Sequence, residues 1–213
     1  MVFSSAVFLF VFLPIVFALY FCIPKIKAKN IFLVIASLIF YAFGEPVYVL
    51  LMIGSILVNY ILGRGIGLFA KRNCVAGKRS ILITAIVANL GVLCIFKYTG
   101  FLIENIHEIL GVRLPVPSIT LPVGISFFTF QALSYVIDVY RNPDMEQKNV
   151  FRLMLYISFF PQLIAGPIIR YNEIERQMIS RTSSVDKAAD GIQRFIRGLT
   201  KKLLLANGAG YIA

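Results

Sequence analysis

Charged side chains are scarce in this sequence. Only 15% of its 213 residues are Asp, Glu, Lys or Arg, whereas soluble domains typically carry about 25%. Hydrophobic residues make up 59% of the chain, and its mean hydropathy is +0.83. Because several apolar runs reach the length that spans a bilayer, the composition excludes an ordinary soluble domain. It predicts an all-α, polytopic helical membrane protein.

Histidine and cysteine are also rare. His107 is the one histidine, and Glu104 and Glu108 flank it at helical spacings. A surface or interfacial histidine is therefore expected rather than a ligand or a catalytic base. The three cysteines are scattered and form no CxxC pair, which indicates small apolar side chains and neither a disulfide framework nor a metal site.

Acidic residues are outnumbered by basic ones, which gives a net charge of +11. The basic residues lie mainly between the apolar runs, where membrane proteins keep the charge that sets topology. No soluble basic module or patch with interleaved aromatic residues is present, so nucleic acid is not an expected partner.

The apolar runs predict membrane helices over 2–22, 31–43, 47–62, 81–96 and 123–140. A separate, shorter and mixed helix is expected over 97–110, either at the outer interface or dipping partly into the membrane. Lysines follow the first helix and five basic residues follow the third, whereas none lies in the Gly-Glu-Pro turn at 44–46. This pattern places the N-terminus outside. Asn89 is expected to form an interhelical hydrogen bond, and Gly63 and Gly67 to allow either close helix contact or a frayed helix end.

The helix predicted over 123–140 carries a polar stripe. Its members fall at i, i+3, i+4 and i+7 and therefore share one face; they are Gln131, Ser134, Tyr135 and Asp138. Polar groups inside a bilayer are costly unless they face protein or water, so the stripe should line a cavity or the bundle interior. The alternative is that Asp138 is interfacial and pairs with Arg141, while Gln131 bonds a neighbouring helix.

The next apolar run ends at Arg170 and is interrupted by Pro161 and Pro167. Irregular backbone at membrane depth is tolerated only within protein or beside a water-filled cavity. Basic residues lie on both sides of the run, and both flanks cannot be cytoplasmic if it crosses once. We therefore expect 159–169 to be a re-entrant element that enters and leaves from the cytoplasmic side.

The segment 183–205 has an apolar face and a basic face, and Ser183 with Asp186 resembles a capping pair. It is predicted to be a basic amphipathic helix on the cytoplasmic surface, attracted to anionic lipids. Docking of an acidic acyl-donor carrier is the alternative interpretation of this helix.

Three segments resemble a known family. They are Phe-Tyr-Ala-Phe-Gly-Glu-Pro (40–46), Leu-Pro-Val-Gly-Ile-Ser-Phe-Phe-Thr-Phe-Gln-Ala-Leu-Ser-Tyr-Val-Ile-Asp-Val-Tyr-Arg (121–141) and Phe-Phe-Pro-Gln-Leu-Ile-Ala-Gly-Pro-Ile-Ile-Arg (159–170). They are similar to the membrane-bound O-acyltransferase family, and above all to its bacterial branch of alginate O-acetyltransferases and D-alanyl transfer proteins.

The resemblance implies transfer of an acyl group, usually acetyl, to hydroxyls of an exported or cell-wall polysaccharide in the bacterial cytoplasmic membrane. It implies an acyl thioester donor, either acetyl-CoA or an acyl carrier protein, and extracytoplasmic acetylation partners. The helices of such proteins surround a tunnel. The residues expected to line it here are Gln131, Ser134, Tyr135, Asp138, Gln162 and Arg170.

The catalytic histidine that the family uses as a general base lies in a downstream Arg-Trp-His-type segment, and nothing in this chain matches that segment. We therefore expect residues 1–213 to form a single transmembrane domain, the N-terminal portion of the family's fold, that supplies tunnel wall, no catalytic residue and no activity by itself. A non-catalytic scaffold and a transporter-like component of a polysaccharide export complex are the alternatives. No inverted repeat supports the transporter.

Overall fold

The computed structural model describes residues 5–110, 120–163, 166–167 and 169–206. All regular secondary structure in that part of the chain is helical, and it contains no strand. The predicted all-α class is therefore confirmed.

Nine α-helices follow one another within the described ranges. They are α1 (Leu13–Cys22, preceded by a π-helical turn at Phe8–Phe12), α2 (Ile26–Ala42), α3 (Tyr48–Lys71), α4 (Val75–Leu110), α5 (Ile125–Arg141), α6 (Val150–Ser158), α7 (Phe160–Leu163), α8 (Tyr171–Ile179) and α9 (Val185–Lys201). A 3-10 turn at Pro143–Met145 precedes α6, and a π-helical turn at Lys202–Ala206 follows α9.

Two of these helices are long and apolar enough to cross a membrane. The candidate spans are Tyr48–Lys71 and Val75–Ile106, and Phe8–Cys22 is a shorter apolar helix. The 24 residues of α3 extend for about 36 Å at 1.5 Å per residue, which exceeds the hydrocarbon thickness of about 30 Å.

The separate helix predicted over 97–110 is wrong, because α4 continues without a break from Val75 to Leu110. Polar side chains in this region bond to their own helix instead of ending it. Thr99 Oγ1 donates to the Ile95 carbonyl at 2.5 Å, and Asn105 Nδ2 donates to the Phe101 carbonyl at 2.6 Å. The prediction for the His107 side chain lies outside what the structure describes.

The glycines at 63 and 67 lie within α3, which settles the choice between helix contact and a frayed end in favour of contact. A Cβ atom added at Gly63 would lie 2.8 Å from the Tyr135 hydroxyl, and one at Gly67 would collide with Glu146. Both glycines are therefore places where α5 and the segment that follows it approach the α3 backbone.

A pair of asparagines joins α3 to α4. Asn59 Nδ2 donates to Asn89 Oδ1 at 3.0 Å, and Asn89 Nδ2 donates back to Asn59 Oδ1 at 2.8 Å. Asn59 is 1% exposed and Asn89 is 5% exposed. The predicted interhelical hydrogen bond of Asn89 is confirmed.

Side-chain hydrogen bonds join neighbouring helices at the two opposite ends of the bundle. At one end, the Tyr41 hydroxyl donates to the Val123 carbonyl and the Tyr48 hydroxyl to the Thr120 carbonyl, at 3.0 and 2.9 Å. This joins the end of α2, the start of α3 and the start of α5. At the other end, the Tyr60 hydroxyl donates to the Lys148 carbonyl at 2.9 Å, which joins the second half of α3 to the segment after α5.

Candidate functional site: the polar face of α5 and the broken helix beside it

Two members of the polar stripe lie in the bundle interior. Gln131 is 2% exposed and Tyr135 is fully buried. Gln131 Nε2 donates to the Tyr156 carbonyl of α6 at 2.6 Å, which is a bond to a neighbouring helix. The Tyr135 hydroxyl accepts a hydrogen bond from the backbone N–H of Gln147 at 3.1 Å.

The other two members are half-buried and lie beside the Tyr156 hydroxyl. Ser134 is within hydrogen-bonding range of that hydroxyl, and Asp138 is close enough to act on it electrostatically. Asp138 Oδ2 is buried, and no described residue donates a hydrogen bond to it. The described residues include no ion pair between Asp138 and Arg141. A buried carboxylate oxygen without a partner is costly, so this atom is a candidate contact for a bound group.

Three tyrosines meet on this face of α5, and the sequence did not predict their contact. The Tyr171 ring lies edge-on to the rings of Tyr135 and Tyr156, with centroids 5.3 Å away in each case. Gln147 Nε2 donates to the Tyr171 hydroxyl. Burial raises the pKa of Tyr171 to about 12, so its hydroxyl stays protonated at neutral pH. Tyr135 and Tyr156 lie inside apolar runs, where a tyrosine needs a partner for its hydroxyl, but the sequence around Tyr171 carries no such signal.

The apolar run interrupted by Pro161 and Pro167 contains two residues predicted to line the tunnel, and the structure places them differently. Gln162 lies in α7, is 7% exposed, and donates from Nε2 to the Pro167 carbonyl at 3.2 Å. Arg170 directly precedes α8 and its side chain is exposed. The Tyr156 hydroxyl donates to the Ile169 carbonyl at 2.7 Å. The stripe residues thus surround Tyr156, Gln162 holds the return of the chain, and Arg170 faces outward.

A buried carboxylate fixes the connection between α5 and α6. Glu146 forms ion pairs with Arg64 and Lys71 of α3, the second at 3.3 Å, and its side chain is 4% exposed. No local pattern indicated this contact, because 82 residues separate Glu146 from Arg64. The connection that carries Gln147 is therefore held against α3.

Together these groups form a polar interior face made of hydroxyls, amides and one carboxylate. Such groups orient a ligand by hydrogen bonding and allow a polar group to pass through an apolar bundle. Among the described residues, no group of three or more His, Cys, Asp or Glu side chains could hold a metal ion. The site thus supports the positioning of a bound ligand.

The chain is similar over its full length to several bacterial transferases. It is 39% identical to the probable alginate O-acetylase AlgI of Pseudomonas aeruginosa, in an alignment that covers all of this chain and 41% of that protein. It is 34% identical to the peptidoglycan O-acetyltransferase of Helicobacter pylori, covering all of this chain and 46% of that protein. A shorter region, 39% of the chain, is 28% identical to the teichoic acid D-alanyltransferase of Bacillus subtilis. No family model and no solved structure matches the chain.

The apolar helices and these relatives define the class, which is that of helical membrane proteins. The relatives also confirm the family resemblance, because the chain is homologous over its whole length to members of the membrane-bound O-acyltransferase family. The chain spans about two fifths of the length of the alginate O-acetylases it matches.

Proposed function

We propose that this chain forms the N-terminal helical part of a membrane-bound O-acyltransferase that transfers an acyl group, most simply acetyl, to hydroxyls of an exported or cell-wall polysaccharide. The observation that carries the proposal is the full-length similarity to an alginate O-acetylase and to a peptidoglycan O-acetyltransferase. Both relatives are named for O-acetyl transfer, the first to alginate and the second to peptidoglycan. In this proposal the present chain supplies the path for the acyl group and no catalytic residue.

The overall proposal is tested by deleting the gene at its chromosomal locus and measuring the ester-linked acetate that mild base releases from cell-envelope polysaccharide. Acetate should fall, and the gene restored in its full genomic frame should return it to the original level. Residues 1–213 expressed alone should not restore it, because the chain is proposed to hold no catalytic residue. Unchanged acetate after deletion would contradict the proposed activity.

We further propose a multi-pass placement in the bacterial cytoplasmic membrane with the N-terminus outside and residues 1–213 as a single transmembrane domain. The contacts at the two bundle ends support opposite directions for α2 and α3, and the same direction for α3 and α5, which α4 separates in the sequence. The basic end holds Arg64, Lys71 and Lys148, whereas Glu45 and Tyr48 lie at the opposite end. The positive-inside rule places the basic end in the cytoplasm.

The re-entrant element is proposed to extend over α6, α7 and the non-helical residues that follow them. Its main support is the hydrogen bond between Gln147, which precedes α6, and Tyr171, which begins α8. The end of the element therefore lies at the same membrane depth as its beginning. The nine residues of α6 extend for only about 13 Å, too short for a crossing of about 30 Å. A Cβ added at Gly124 would lie 3.2 Å from the Leu163 carbonyl, so the tip of the element reaches the start of α5. Residues 164, 165 and 168 of the predicted range lie outside the described residues.

Cysteine labelling tests this topology. Single cysteines at positions 148 and 176, in a chain whose three native cysteines are replaced by serine, should react from the same side of sealed membrane vesicles. A third cysteine in place of Pro46 is the control for the opposite side. Labelling of positions 148 and 176 from opposite sides would show that the run between them crosses the membrane.

The polar stripe is proposed to form a wall of the acyl path, with Gln162 and Arg170 along the same route. Asp138 is the strongest member because its buried Oδ2 has no donor among the described residues. In the protein expressed from its full genomic frame, Asp138→Asn should lower acyl transfer by about tenfold, since a hydrogen bond to a charged group contributes about 1.5 kcal/mol. Gln131→Leu should also lower it, and both variants should still insert into the membrane.

The matched control is Phe130→Leu, because Phe130 lies on the same helix and is 42% exposed on its lipid-facing side. This variant should retain the original transfer rate. If Asp138→Asn and Gln131→Leu both retain it as well, the stripe has no part in the reaction.

The donor is proposed to be a cytoplasmic acyl thioester, either acetyl-CoA or an acyl carrier protein, and the acceptor side to involve extracytoplasmic partners. Inside-out vesicles are supplied either with radiolabelled acetyl-CoA alone or with purified acyl carrier protein that already carries radiolabelled acetyl, and the two supplies separate the two donors. Incorporation of label with acetyl-CoA alone identifies the small thioester. Incorporation only in the presence of the carrier identifies the protein-bound thioester.

Helix α9 is proposed to lie on the cytoplasmic membrane surface, within the predicted interfacial segment 183–205. Ile192, Phe195 and Ile196 are exposed on one face, although apolar side chains of this size favour burial. Ser184 caps the helix by accepting a hydrogen bond from the Lys187 N–H at 3.2 Å, so the cap lies one residue after the predicted Ser183.

The absence of tryptophan from the sequence makes a direct test possible. Ile192→Trp introduces a single reporter on the apolar face, and Asp190→Trp introduces one about 200° around the helix. Brominated lipids should quench the first far more than the second. Equal quenching would contradict an orientation of the apolar face toward the lipid.

A further inference from the structure

An open groove lies between α1, α2, α6, α7, α8 and the start of α9, and its lining includes Tyr156, whose carbonyl accepts a hydrogen bond from Gln131 on the polar face of α5. Its volume is about 430 Å³, within the range of about 300–1,000 Å³ that is typical of ligand pockets. The deep part is apolar and is lined by Leu13, Val16, Leu33, Phe159 and Phe160. The groove therefore offers an apolar chain a binding surface that extends into the bundle.

The mouth of the groove is polar and basic. It is lined by Tyr20, Arg181, Thr182, Ser183, Ser184 and Lys187. No acidic residue is among the described residues that line the groove. Along α1 the seven residues from Leu13 to Tyr20 correspond to about 10 Å, so the charged mouth and the apolar floor are well separated.

Arg181 is held rigidly at this mouth and has donor capacity left over. Its Nε donates to the Tyr20 hydroxyl at 2.6 Å, and its Nη1 donates to Asn30 Oδ1 at 2.8 Å. Asn30 is itself fixed by a hydrogen bond to the Met178 carbonyl. Nη2 is buried, and no described residue accepts a hydrogen bond from it. A fixed guanidinium with a free N–H is well suited to bind a phosphate oxygen.

We infer that this groove binds one anionic phospholipid, with an acyl chain on the apolar floor and the headgroup phosphate on Arg181 and Lys187. The inference rests on the membrane placement proposed above, since Asn30 and Lys29 at the start of α2 put the mouth at the basic end of the bundle. Lys29 lies 4.5 Å from the centroid of the Tyr20 ring and adds a third positive charge near the mouth. The lipid therefore comes from the cytoplasmic leaflet, where anionic headgroups are attracted to basic residues.

Native mass spectrometry of the detergent-solubilised chain tests this inference without any measurement of acyl transfer. Phosphatidylglycerol should be retained in preference to phosphatidylethanolamine with the same acyl chains. Arg181→Gln should weaken phosphatidylglycerol retention by about tenfold, as expected for one lost charge-assisted hydrogen bond. The matched control is Arg79→Gln, an exposed arginine near the start of α4 and outside the groove lining, and this variant should retain the lipid as the original chain does.

Two further measurements separate a loss of lipid binding from a loss of folding, and a lipid headgroup from a free phosphate compound. Leu13→Trp narrows the floor and leaves the guanidinium in place, so it should also reduce lipid retention. Glycerol phosphate, which has no acyl chain, should not displace the lipid. Equal retention of the two lipids, or no retention of either lipid, would overturn the inference. An equal loss in Arg79→Gln, unchanged retention in Leu13→Trp, or displacement by glycerol phosphate would also overturn it. Acyl transfer could still be present in any of these cases, so the lipid site and the proposed function fail separately.

Discussion

The ion pairs of the buried Glu146 side chain allow a prediction about stability. The size of the expected loss follows from how exposed each partner side chain is. The Glu146 side chain is 4% exposed, that of Arg64 is 35% exposed and that of Lys71 is 64% exposed. Arg64→Met leaves a buried carboxylate whose remaining partner is the mostly exposed Lys71, 3.3 Å away. Breaking a buried pair costs about 3 kcal/mol or more of unfolding free energy. Lys71→Met removes an exposed partner and should cost less than about 1 kcal/mol.

Thermal unfolding in detergent measures the difference. For a chain of this size, about 1 kcal/mol corresponds to roughly 2–4 °C in Tm, so Arg64→Met should lower Tm by roughly 6–12 °C. Lys71→Met should lower it by no more than about 4 °C. Glu146→Gln should cost less than Arg64→Met, because Arg64 can be hydrated when it is unpaired, whereas Glu146 cannot.

The double variant Arg64→Met/Glu146→Gln completes the cycle. It should unfold at a higher temperature than Arg64→Met alone, since the orphaned charge is gone. Equal losses for Arg64→Met and Lys71→Met, or no recovery in the double variant, would show that burial of Glu146 does not control the stability of this connection.

Two helix contacts give further predictions, each checked by the same unfolding measurement. Gly63→Ala should destabilise the fold by about 1–3 kcal/mol, as overpacking does, because the new Cβ lies 2.8 Å from the Tyr135 hydroxyl. The control is Gly91→Ala, whose new Cβ meets nothing within 4 Å, and it should be neutral or stabilising. Asn89→Leu should cost about 1–3 kcal/mol because it leaves Asn59 buried without its partner, whereas Asn59→Leu/Asn89→Leu should cost less. A loss of stability in Gly91→Ala would contradict the first assignment. Additive losses from the two asparagine substitutions would contradict the second.

The parts of the fold that the sequence predicted depend on local patterns. Hydropathy and spacing predicted the helical class, the shared face of Gln131 and Tyr135, and the partner of Asn89 on a neighbouring helix. Each rests on one rule, that a polar side chain in an apolar helix must find a partner. The rule says that a partner exists and does not identify it.

The parts that were not predicted depend on contacts between distant segments, or on polar side chains that bond to the backbone of their own helix. Glu146 and Tyr171 have ordinary sequence surroundings, and their roles follow only from how the chain folds back. The continuity of α4 depends on Thr99 and Asn105, whose side chains bond to their own helix. Hydropathy counts these residues as polar and therefore predicts an interruption where none exists.

The return of the chain after α7 is built on side chains of the helices that precede it. The Tyr156 hydroxyl and the Gln162 amide bond to the carbonyls of Ile169 and Pro167, and so take the place of water for backbone that has no helical partner. Adding or removing one residue between Tyr156 and Gln162, where the chain leaves α6 at Phe159 and enters α7, would displace one donor relative to the other. The number of residues in this short stretch is therefore as constrained as their chemistry, and homologous proteins should accommodate substitutions there more readily than changes of length.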